Sequence, residues 1–483
     1  MNKQVRRVGL ALTAMFLALF AMASSIQVLR SAELYKDSRN VRASYETYKT
    51  QRGAILVDGV PVVESIPVND AYRFNREYSS VLYSPVIGYF SLFSGAEGIE
   101  RQMNSYLSGQ SSAQFFEQIN ALLDGKPVTG AAVELTLDPD IQRAAWDALG
   151  ARKGAVVAIE PATGRILAMV SKPTYDANLL AAHLYGPVTD AYQALIEDED
   201  QPLINRAIAG DLYHPGSTFK LVVAAAALES GQYTATSELE NPQRYRLPRT
   251  FSFVENSSGK TCGTGETVTL ETALIKSCNV PFAMLAVALG EQRIRAQAEL
   301  MGFGSELEIP LPVTPSIYPE NLEDSQVALT GFGQFDVRVS PLQMAMVSAS
   351  IANQGVLMRP QLIDLIVASN LNVLSQPEPE VLSSPMSKLT AGFLTRMMVD
   401  SVNSGAATKA QLAGVAVAGK TGTAENGLND PYTLWFTGFA PAEAPEIAVA
   451  VVVEDGGGAG QNGTGNQIAA PIARLVIEAA LKR

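Results

Sequence analysis

A serine followed three residues later by a lysine is the first candidate for chemistry. Ser217 and Lys220 stand where Pro215-Gly216 is followed by a long apolar helical pattern that runs to about Leu228. Residues three apart on a helix share a face, and the free N–H groups at a helix N-terminus favour developing negative charge. Because a buried lysine can lose its proton and act as a base, the pattern indicates an activated serine nucleophile. A second Ser-x-x-Lys match, at 257–260, lies in a polar stretch with no helix to orient it and is set aside.

Two further patterns could complete a site around this serine. Ser277 and Asn279 stand two residues apart between two helical patterns, so that a hydroxyl and a carboxamide can face one cleft. The sequence Lys420-Thr421-Gly422-Thr423 ends a strand pattern that begins near Val415. A glycine there lets a ligand approach the strand edge, where an extended peptide can pair with free N–H and C=O groups. The lysine and the two hydroxyls beside this edge suit the binding of a carboxylate.

Composition excludes several other classes of function. The 483 residues are 47% hydrophobic and 17% charged, which is enough apolar material for a large core and excludes a mainly disordered chain. The net charge of −12 argues against nucleic-acid binding, which requires a basic surface. With two histidines and two cysteines, the chain has no histidine-rich metal site, no four-cysteine zinc cluster and little material for a Ser-His-Asp mechanism.

The N-terminus carries a candidate membrane anchor. Lys3, Arg6 and Arg7 precede an apolar run from Val8 to about Val28, which is long enough to cross a bilayer as a helix. By the positive-inside rule the N-terminus is cytoplasmic and the bulk of the chain lies outside. The alternatives are a cleaved signal peptide, for which Ala21-Met22-Ala23 offers a cleavage site, and a buried helix of a soluble protein. We expect a single-pass protein of the cell membrane with an extracytoplasmic catalytic domain.

The two cysteines are candidates for a disulfide, since an extracytoplasmic compartment allows one to persist. Cys262 and Cys278 are 16 positions apart, and Cys278 lies inside the second pattern. A bridge would clamp that loop, and closing a loop of this size stabilises a protein by roughly 3 kcal/mol. Two unpaired, buried thiols are the alternative.

Taken together and in this order, Ser-x-x-Lys, Ser-x-Asn and Lys-Thr-Gly resemble the signatures of the penicillin-recognising serine acyltransferases. Further stretches are similar to class B penicillin-binding proteins, which are monofunctional D,D-transpeptidases, and most of all to the actinobacterial penicillin-binding protein A type. These stretches are 52–58, 95–100, 106–109, 213–220, 340–345 and 435–441. His214 departs from the family, which usually has an acidic residue there, and Thr433-Leu434 replaces a frequent His-Ala pair. We expect His214 to lie at the cleft rim or surface rather than to act in catalysis.

The resemblance and the element pattern imply an α+β multidomain fold. Residues 1–30 would form the cytoplasmic tip and transmembrane helix, 31–150 a mixed α/β pedestal domain that docks partners, and 151–483 the transpeptidase domain. In the last range, strand patterns at both ends bracket a mostly helical middle. We therefore expect an antiparallel sheet flanked by helices, together with an all-helical subdomain.

The resemblance implies a peptidoglycan D,D-transpeptidase for growth and division that forms an acyl-serine, is acylated by β-lactams and needs no metal or organic cofactor. In the implied mechanism Ser217 is the nucleophile and Lys220 the general base, while Ser277 relays the proton with the support of Lys420. The N–H groups of Ser217 and Thr423 form the oxyanion hole. In substrate binding, Thr421 and Thr423 bind a carboxylate beside Gly422, and Asn279 binds a peptide carbonyl. The implied partners are peptidoglycan stem peptides, β-lactam antibiotics, a polytopic glycan polymerase and proteins of division or elongation, with no nucleic acid.

The same three motifs are compatible with other functions. A class A β-lactamase needs a Glu-x-x-Leu-Asn segment between the second and third motifs, and the sequence has none there. A D,D-carboxypeptidase passes the acyl group to water, which nothing in residues 1–150 indicates. A division scaffold would keep its function without Ser217. A β-lactam sensor of the known kind would carry a His-Glu-x-x-His segment, which the two separated histidines cannot form.

Overall fold

The computed structural model describes residues 3–26, 48–125, 127–307 and 309–482. Residues 27–47, which span the end of the predicted anchor range and the start of the predicted pedestal range, fall outside the described residues. Helix Lys3–Ser24 has no buried side chain and is long and apolar enough to cross a membrane. An apolar helix without a packed face is what a membrane anchor requires.

A six-stranded mixed sheet, here called the pedestal sheet, organises the N-terminal part of the body. Its strands in spatial order are Val373–Ser375, Ile363–Val367, Ala132–Leu135, Ile55–Val57, Val60–Pro67 and Phe74–Tyr78. Asp58 and Gly59 join two of these strands with φ values of 53° and 70°, which is the positive-φ geometry of a tight Asp-Gly turn.

Short helices pack on the pedestal sheet, because their apolar side chains share one core with its inward-facing residues. These elements are the 3-10 turn Val81–Tyr83 and the helices Ser84–Ile87, Gly98–Gln102 and Asn104–Leu107. The same part of the chain also contains the ribbon of Phe90–Ser91 with Gly95–Ala96, the 3-10 turn Ser112–Gln114 and the helix Phe115–Asp124.

A five-stranded antiparallel sheet, the central sheet, lies in the C-terminal part. Its strands in spatial order are Ala418–Ala424, Thr433–Ala440, Ile447–Val453, Gly154–Ile159 and Ile166–Lys172. Helix Pro341–Ala352 covers one face, and helices Pro139–Leu149 and Ala469–Ala480 cover the other. Since side chains alternate along a strand, Val157 packs in the core beneath helix Pro341–Ala352, and Val156 packs in the core beneath the other two helices. The predicted antiparallel sheet is confirmed, and its first strand, here the edge strand, is left open on one side.

The chain between the outer strands is mostly helical, as predicted. The helices are Asn178–Ala181, Tyr185–Glu197, Lys220–Glu229, Leu270–Ile275, Asn279–Leu289, Glu291–Leu300, Asp324–Thr330 and Lys388–Ser404, with 3-10 turns at Gly216–Phe219 and Thr408–Ala410. Two more 3-10 turns, Asp455–Gly458 and Gly460–Asn462, follow the strand Ile447–Val453. Three ribbons also occur, formed by Glu238–Glu240 with Thr267–Thr269, Arg244–Arg246 with Phe253–Glu255, and Leu357–Met358 with Val381–Ser383. The part expected to be all-helical therefore also contains short strands, whose sequences are too brief for a strand pattern to show.

Two segments lie in one predicted domain range but pack against the sheet of the other. Helix Pro139–Leu149, within the predicted pedestal range, packs its apolar face on the central sheet. The hairpin 363–375, within the predicted transpeptidase range, extends the pedestal sheet by pairing with Ala132–Leu135. Strand pairing and apolar burial decide these positions, and neither follows from order along the chain.

A carboxylate buried between two guanidinium groups lies in the N-terminal part, where two of the stretches that carry the family resemblance meet. Glu100 accepts from Arg52 Nη2 at 2.7 Å and from Arg76 Nε at 2.6 Å, and all three side chains are buried. Burial by itself raises the pKa of Glu100, but the positive charges of Arg76 and Arg52 outweigh it and lower the pKa. Removing one member of such a triad leaves uncompensated charge in the core.

Glu100→Ala should therefore lower the free energy of unfolding by roughly 3–5 kcal/mol, because two buried guanidinium groups lose their counter-charge. Chemical denaturation of the full chain in detergent measures this. Glu97→Ala is the matched control, since it removes the exposed ion pair with Arg101 and should cost less than about 1 kcal/mol. Equal, small losses in the two variants would contradict the structural role of the triad.

Candidate active site

Ser217 lies in the 3-10 turn Gly216–Phe219, which continues directly into the helix Lys220–Glu229. The predicted helix is therefore present, with a more tightly wound first turn. Lys220 Nζ lies 3.0 Å from Ser217 Oγ. Because the first two turns of the helix are buried on every side, Lys220 is fully buried with them. The lysine amine is thus removed from water and placed beside the serine hydroxyl.

Glycines bring the edge strand against this turn. A side-chain carbon at Gly422 would lie 2.8 Å from the Pro215 carbonyl oxygen, and one at Gly333 would lie 2.0 Å from the Gly216 carbonyl oxygen. Gly216 and Gly333 also have positive φ values of 52° and 75°. Gly422 was predicted as a point of close approach for a ligand. The structure shows that packing of the strand against the serine turn also requires a glycine there.

Lys220 connects the second motif to the first. Its Nζ donates to Ser277 O and to Asn279 Oδ1, both at 2.8 Å, and lies 3.5 Å from Ser277 Oγ. Ser277 has a φ of 61°, in the left-handed region, where the chain turns from helix Leu270–Ile275 into helix Asn279–Leu289. This turn places both oxygens of Ser277 beside the same amine.

Asn256 holds the second motif in place and was not predicted from the sequence. Its Oδ1 accepts from the N–H groups of Asn279 at 2.8 Å and Val280 at 3.0 Å, and its Nδ2 donates to Lys260 O at 2.9 Å. It thereby satisfies two free N–H groups at the start of the following helix. A single asparagine in a polar loop carries no local signal of such a role, so only the folded contacts reveal it.

Lys420 approaches Ser277 from the other side. Its Nζ donates to Ser277 Oγ at 2.7 Å and to Thr421 O at 2.9 Å. Thr421 Oγ1 donates to Ala406 O at 3.0 Å, while Thr423 is partly exposed and lines the open side of the strand. The hydroxyl of Ser277 therefore lies within reach of both lysines.

Burial lowers the pKa of both lysines. The pKa of Lys420 falls to about 7, and the pKa of Lys220 falls well below its usual value, because the charge of Lys420 adds to the effect of burial. A neutral Lys220 amine has two N–H donors and one lone pair. Since Ser277 O and Asn279 Oδ1 can only accept, they take the two donors and leave the lone pair for the Ser217 hydroxyl. The site therefore favours proton transfer from Ser217 to Lys220.

These groups open onto a cleft of about 980 Å³. Ser217, Ser277, Asn279 and the run 421–423 line it, while Lys220 and Lys420 are buried beneath. A volume of this size suits a ligand as large as a short peptide. The structure thus brings all the predicted site residues together.

The sequence matches known families over most of its length. Residues 154–478 match the penicillin binding protein transpeptidase domain, and residues 52–133 match the penicillin binding protein A dimerisation domain. The chain belongs to the penicillin-binding protein transpeptidase family. Presence of the dimerisation domain beside the transpeptidase domain places this penicillin-binding protein in class B, as the sequence resemblance predicted.

Relatives match this penicillin-binding protein almost from end to end. It is 39% identical to the peptidoglycan D,D-transpeptidase PbpA of Mycolicibacterium smegmatis and 38% identical to PbpA of Mycobacterium tuberculosis, in each case over 100% of this chain and 99% of the relative. Solved structures of penicillin-binding protein A from M. tuberculosis, as ceftriaxone and penicillin G acyl-enzyme complexes, give TM-scores of 0.87 and 0.85. They are 38% and 39% identical and cover 90% and 89% of this chain and 100% of their own. The predicted fold class is confirmed.

His214, which departs from the family pattern, contacts the scaffold. Its Nδ1 donates to Val337 O at 3.1 Å, and its backbone oxygen accepts from Trp435 Nε1 at 2.9 Å. Burial, together with the positive charge of Arg338, lowers the pKa of His214, so the ring is neutral at pH 7. These contacts support a structural role, while its absence from catalysis stays a prediction.

Glu425 is another cleft residue that the sequence analysis missed. With Leu428 and Asn429 it forms a Glu-x-x-Leu-Asn pattern, but after the third motif instead of before it. The loop leaves Leu428 91% exposed, and the side-chain amide of Gln334 pairs with the backbone N–H and C=O of Glu425 at 3.1 and 3.2 Å. The position of this pattern is unlike the one that a class A β-lactamase requires.

The disulfide between Cys262 and Cys278 is present, with both residues buried and their Cα atoms 5.9 Å apart. Asn241 Oδ1 accepts from the Cys262 N–H at 2.8 Å, which holds the far end of the bridge. Because Asn256 precedes Cys262 in the same loop and Ser277 precedes Cys278, the bridge joins the loop that carries Asn256 to the second motif. It therefore supports the contact of Asn256 with the helix that begins at Asn279.

Thiol titration of the denatured, unreduced protein should detect no free thiol, and reduction should release two. Replacing Cys262 and Cys278 together by serine should lower the free energy of unfolding by roughly 3 kcal/mol, since the unfolded chain loses a closed loop. Unfolding of wild type under reducing conditions is the control and should match the double variant. Two free thiols before reduction would refute the disulfide.

Proposed function

We propose that this penicillin-binding protein is a peptidoglycan D,D-transpeptidase that cross-links stem peptides through an acyl-enzyme on Ser217, and that β-lactams acylate the same serine. The observation that carries the proposal is the 3.0 Å contact between Ser217 Oγ and the buried Lys220 amine. The relatives named as peptidoglycan D,D-transpeptidases, and the acyl-enzyme complexes of one of them, support the same activity.

Acylation starts when Ser217 Oγ attacks the penultimate carbonyl of a donor peptide that ends in D-Ala-D-Ala. The serine proton passes to the neutral Lys220 amine as the new bond forms. The N–H groups of Ser217 and Thr423 stabilise the oxyanion, and each such donor lowers the barrier by about 3 kcal/mol. Their positions support this role, because a helix start and an open strand edge both have N–H groups without a backbone partner.

Departure of the terminal D-Ala requires a proton on its nitrogen. Ser277 Oγ accepts from Lys420 Nζ and lies 3.5 Å from Lys220 Nζ, so it can pass a proton from Lys220 to the leaving amine. The proton that Ser217 lost thereby leaves with D-Ala, and Lys220 is neutral again. An acceptor amine from a neighbouring stem peptide then attacks the acyl-enzyme, with Lys220 acting as base a second time.

Substrate binding uses the polar groups around the nucleophile. Thr421 and Thr423, with the charge of Lys420 nearby, bind the terminal carboxylate. Thr423 Oγ1 accepts from the Gly465 N–H and keeps its own proton for the carboxylate, whereas the Thr421 hydroxyl must turn away from Ala406 O to donate. Asn279 Oδ1 is occupied by Lys220, but its Nδ2 donates only to Glu255 O at 3.2 Å among the described residues, which leaves a second N–H for a peptide carbonyl. Gly422 allows the peptide backbone to approach the edge strand.

The N-terminal helix supports the membrane arrangement that we propose. Lys3, Arg6 and Arg7 precede the apolar segment, which supports a cytoplasmic N-terminus, one membrane span and an extracytoplasmic catalytic domain. The domain ranges 1–30, 31–150 and 151–483 belong to this proposal. The pedestal range would dock a polytopic glycan polymerase and proteins of division or elongation, and its match to a dimerisation domain supports a docking role.

Acylation by benzylpenicillin tests the proposal directly. The full chain in detergent should gain the mass of one benzylpenicillin, and Ser217→Ala should gain none. Ser257→Ala is the matched control, because it removes the serine of the other Ser-x-x-Lys match and should be acylated like wild type. No adduct with the antibiotic intact would favour a scaffold, and no adduct with the antibiotic consumed would indicate a hydrolase.

The acylation rate should depend on pH in two ways. It should fall at low pH as Lys220 gains a proton, and at high pH as Lys420, whose pKa is about 7, loses its charge. Lys420→Gln keeps a donor for Ser277 but removes the charge. The high-pH decline should then disappear, and the low-pH decline should move to higher pH because the pKa of Lys220 rises.

Lys276→Gln is the control for this profile, since Lys276 also lines the cleft but makes no contact with Lys220 or Ser277 within hydrogen-bond distance among the described residues. It should leave both declines in place. A profile that Lys420→Gln does not change would show that the charge of Lys420 does not control Lys220.

A further inference from the structure

A two-stranded ribbon beside the cleft presents arginine and phenylalanine side chains to solvent. Arg244 stands opposite Glu255 and Arg246 stands opposite Phe253, and residues directly opposite share a face of a ribbon. Phe253 is 47% exposed, and Phe251 in the connecting turn is 91% exposed. We call Arg244, Arg246, Phe251 and Phe253 the ridge. Large aromatic side chains held in water next to a binding cleft mark a recognition surface.

The inner face of the ribbon fixes the ridge to the active site. Val254 and Tyr245 pack with Val280 and Ala283, which belong to the helix that begins at Asn279. In the turn, Arg246 Nε donates to Thr250 O at 2.8 Å and Leu247 N–H donates to Ser252 O at 3.0 Å. The ridge is therefore held by a packed face and a hydrogen-bonded turn.

The chemistry of the ridge suits a ligand that carries both carboxylates and apolar ring faces. Arg244 Cζ lies 4.6 Å from the Phe253 ring centroid, and Arg246 Cζ lies 5.2 Å from that of Phe251. Among the described residues neither guanidinium forms an ion pair, although Glu255 stands opposite Arg244. A planar, unpaired guanidinium is the group best suited to bind a carboxylate, and here it projects from a chain with a net charge of −12.

The ridge is continuous with the cleft. Phe253 and Glu255 line the cleft together with Ser217, and Glu255 O accepts from Asn279 Nδ2 at 3.2 Å. A cleft of about 980 Å³ holds the end of a stem peptide but not the glycan strand to which the peptide is attached. The remainder of a strand bound at Ser217 must therefore pass over the surrounding surface, where the ridge is the neighbouring cationic and aromatic feature.

We infer that the ridge binds the peptidoglycan strand that carries the bound stem peptide. Arg244 and Arg246 bind free carboxylates of the stem peptide, and Phe251 and Phe253 pack on sugar rings of the glycan. This inference rests on the proposed function and deepens it, because it names the residues that distinguish a glycan-borne substrate from a short ligand. Benzylpenicillin needs only the cleft at Ser217, so its acylation should not depend on Arg244 or Arg246, which do not line the cleft.

The test compares the double variant Arg244→Gln/Arg246→Gln with wild type, using the full chain in detergent. With purified, uncross-linked peptidoglycan strands as donor and acceptor, KM should rise about tenfold while kcat stays within about twofold, as expected for loss of two exposed carboxylate contacts. Acylation by benzylpenicillin should be unchanged. Phe251→Ser should raise KM for strands in the same direction without affecting benzylpenicillin.

Arg396→Gln is the matched control, because Arg396 is likewise exposed and lies 4.9 Å from the ring of Phe393 but does not line the cleft. It should leave both activities unchanged.

An unchanged KM for strands in the double variant would overturn the inference and leave a protein partner or the membrane surface as the occupant of the ridge. An equal loss of benzylpenicillin acylation would overturn it in favour of a structural role through Glu255 and Asn279. A wild-type chain that neither cross-links nor is acylated would overturn the proposed function, and this inference with it.

Discussion

Two lysine side chains, Lys220 and Lys420, lie fully buried on either side of the Ser277 hydroxyl, and both reach its Oγ within 3.5 Å. Taking an ammonium ion out of water costs several kcal/mol, and a second positive charge nearby adds to that cost. Releasing a proton lowers this cost, so burial and the charge of Lys420 lower the pKa of Lys220 and favour its neutral form beside Ser217. The unfavourable burial of two like charges thus supports the proposed role of Lys220 as base, and the rest of the structure has to enforce it.

That enforcement comes from close backbone packing more than from the polar groups themselves. The serine turn and the edge strand are far apart in the sequence, yet Gly422 allows the strand to approach Pro215 where a side chain would clash. Gly333, which follows helix Asp324–Thr330, likewise allows its loop to approach Gly216. Asn256 and the Cys262–Cys278 bridge fix the second motif from the opposite side. Because the central sheet is covered on both faces, the free energy gained from its hydrophobic cores offsets the cost of excluding water from the two lysines.

Local patterns in the sequence predicted the parts of the fold that local physics determines. Asp58-Gly59 is a sequence typical of a tight turn and Ser340-Pro341 one typical of a helix start, and the structure contains both the turn and the capped helix Pro341–Ala352. The candidate site residues could be predicted because each motif has its own local context: Ser217 and Asn279 stand where helices begin, and Lys420 lies in a strand. Asn256 and the hairpin 363–375 could not be predicted, since their roles arise from pairing with segments distant in the chain.

The groups that react with the substrate and the surface that binds the polymer are different parts of the molecule. In the proposed mechanism Ser217 attacks whatever carbonyl reaches it, so a small ligand that fits the cleft meets the same reactive groups as the polymer. A peptidoglycan strand offers additional groups beyond the cleft, and binding energy from such remote contacts can position the reacting bond. The ribbon that carries Arg244 and Arg246 packs on the helix that begins at Asn279, so a strand held there is oriented by the same element that helps to orient Lys220. Selectivity for the polymer therefore needs no change in the reactive groups, because it is built into the surface that supports them.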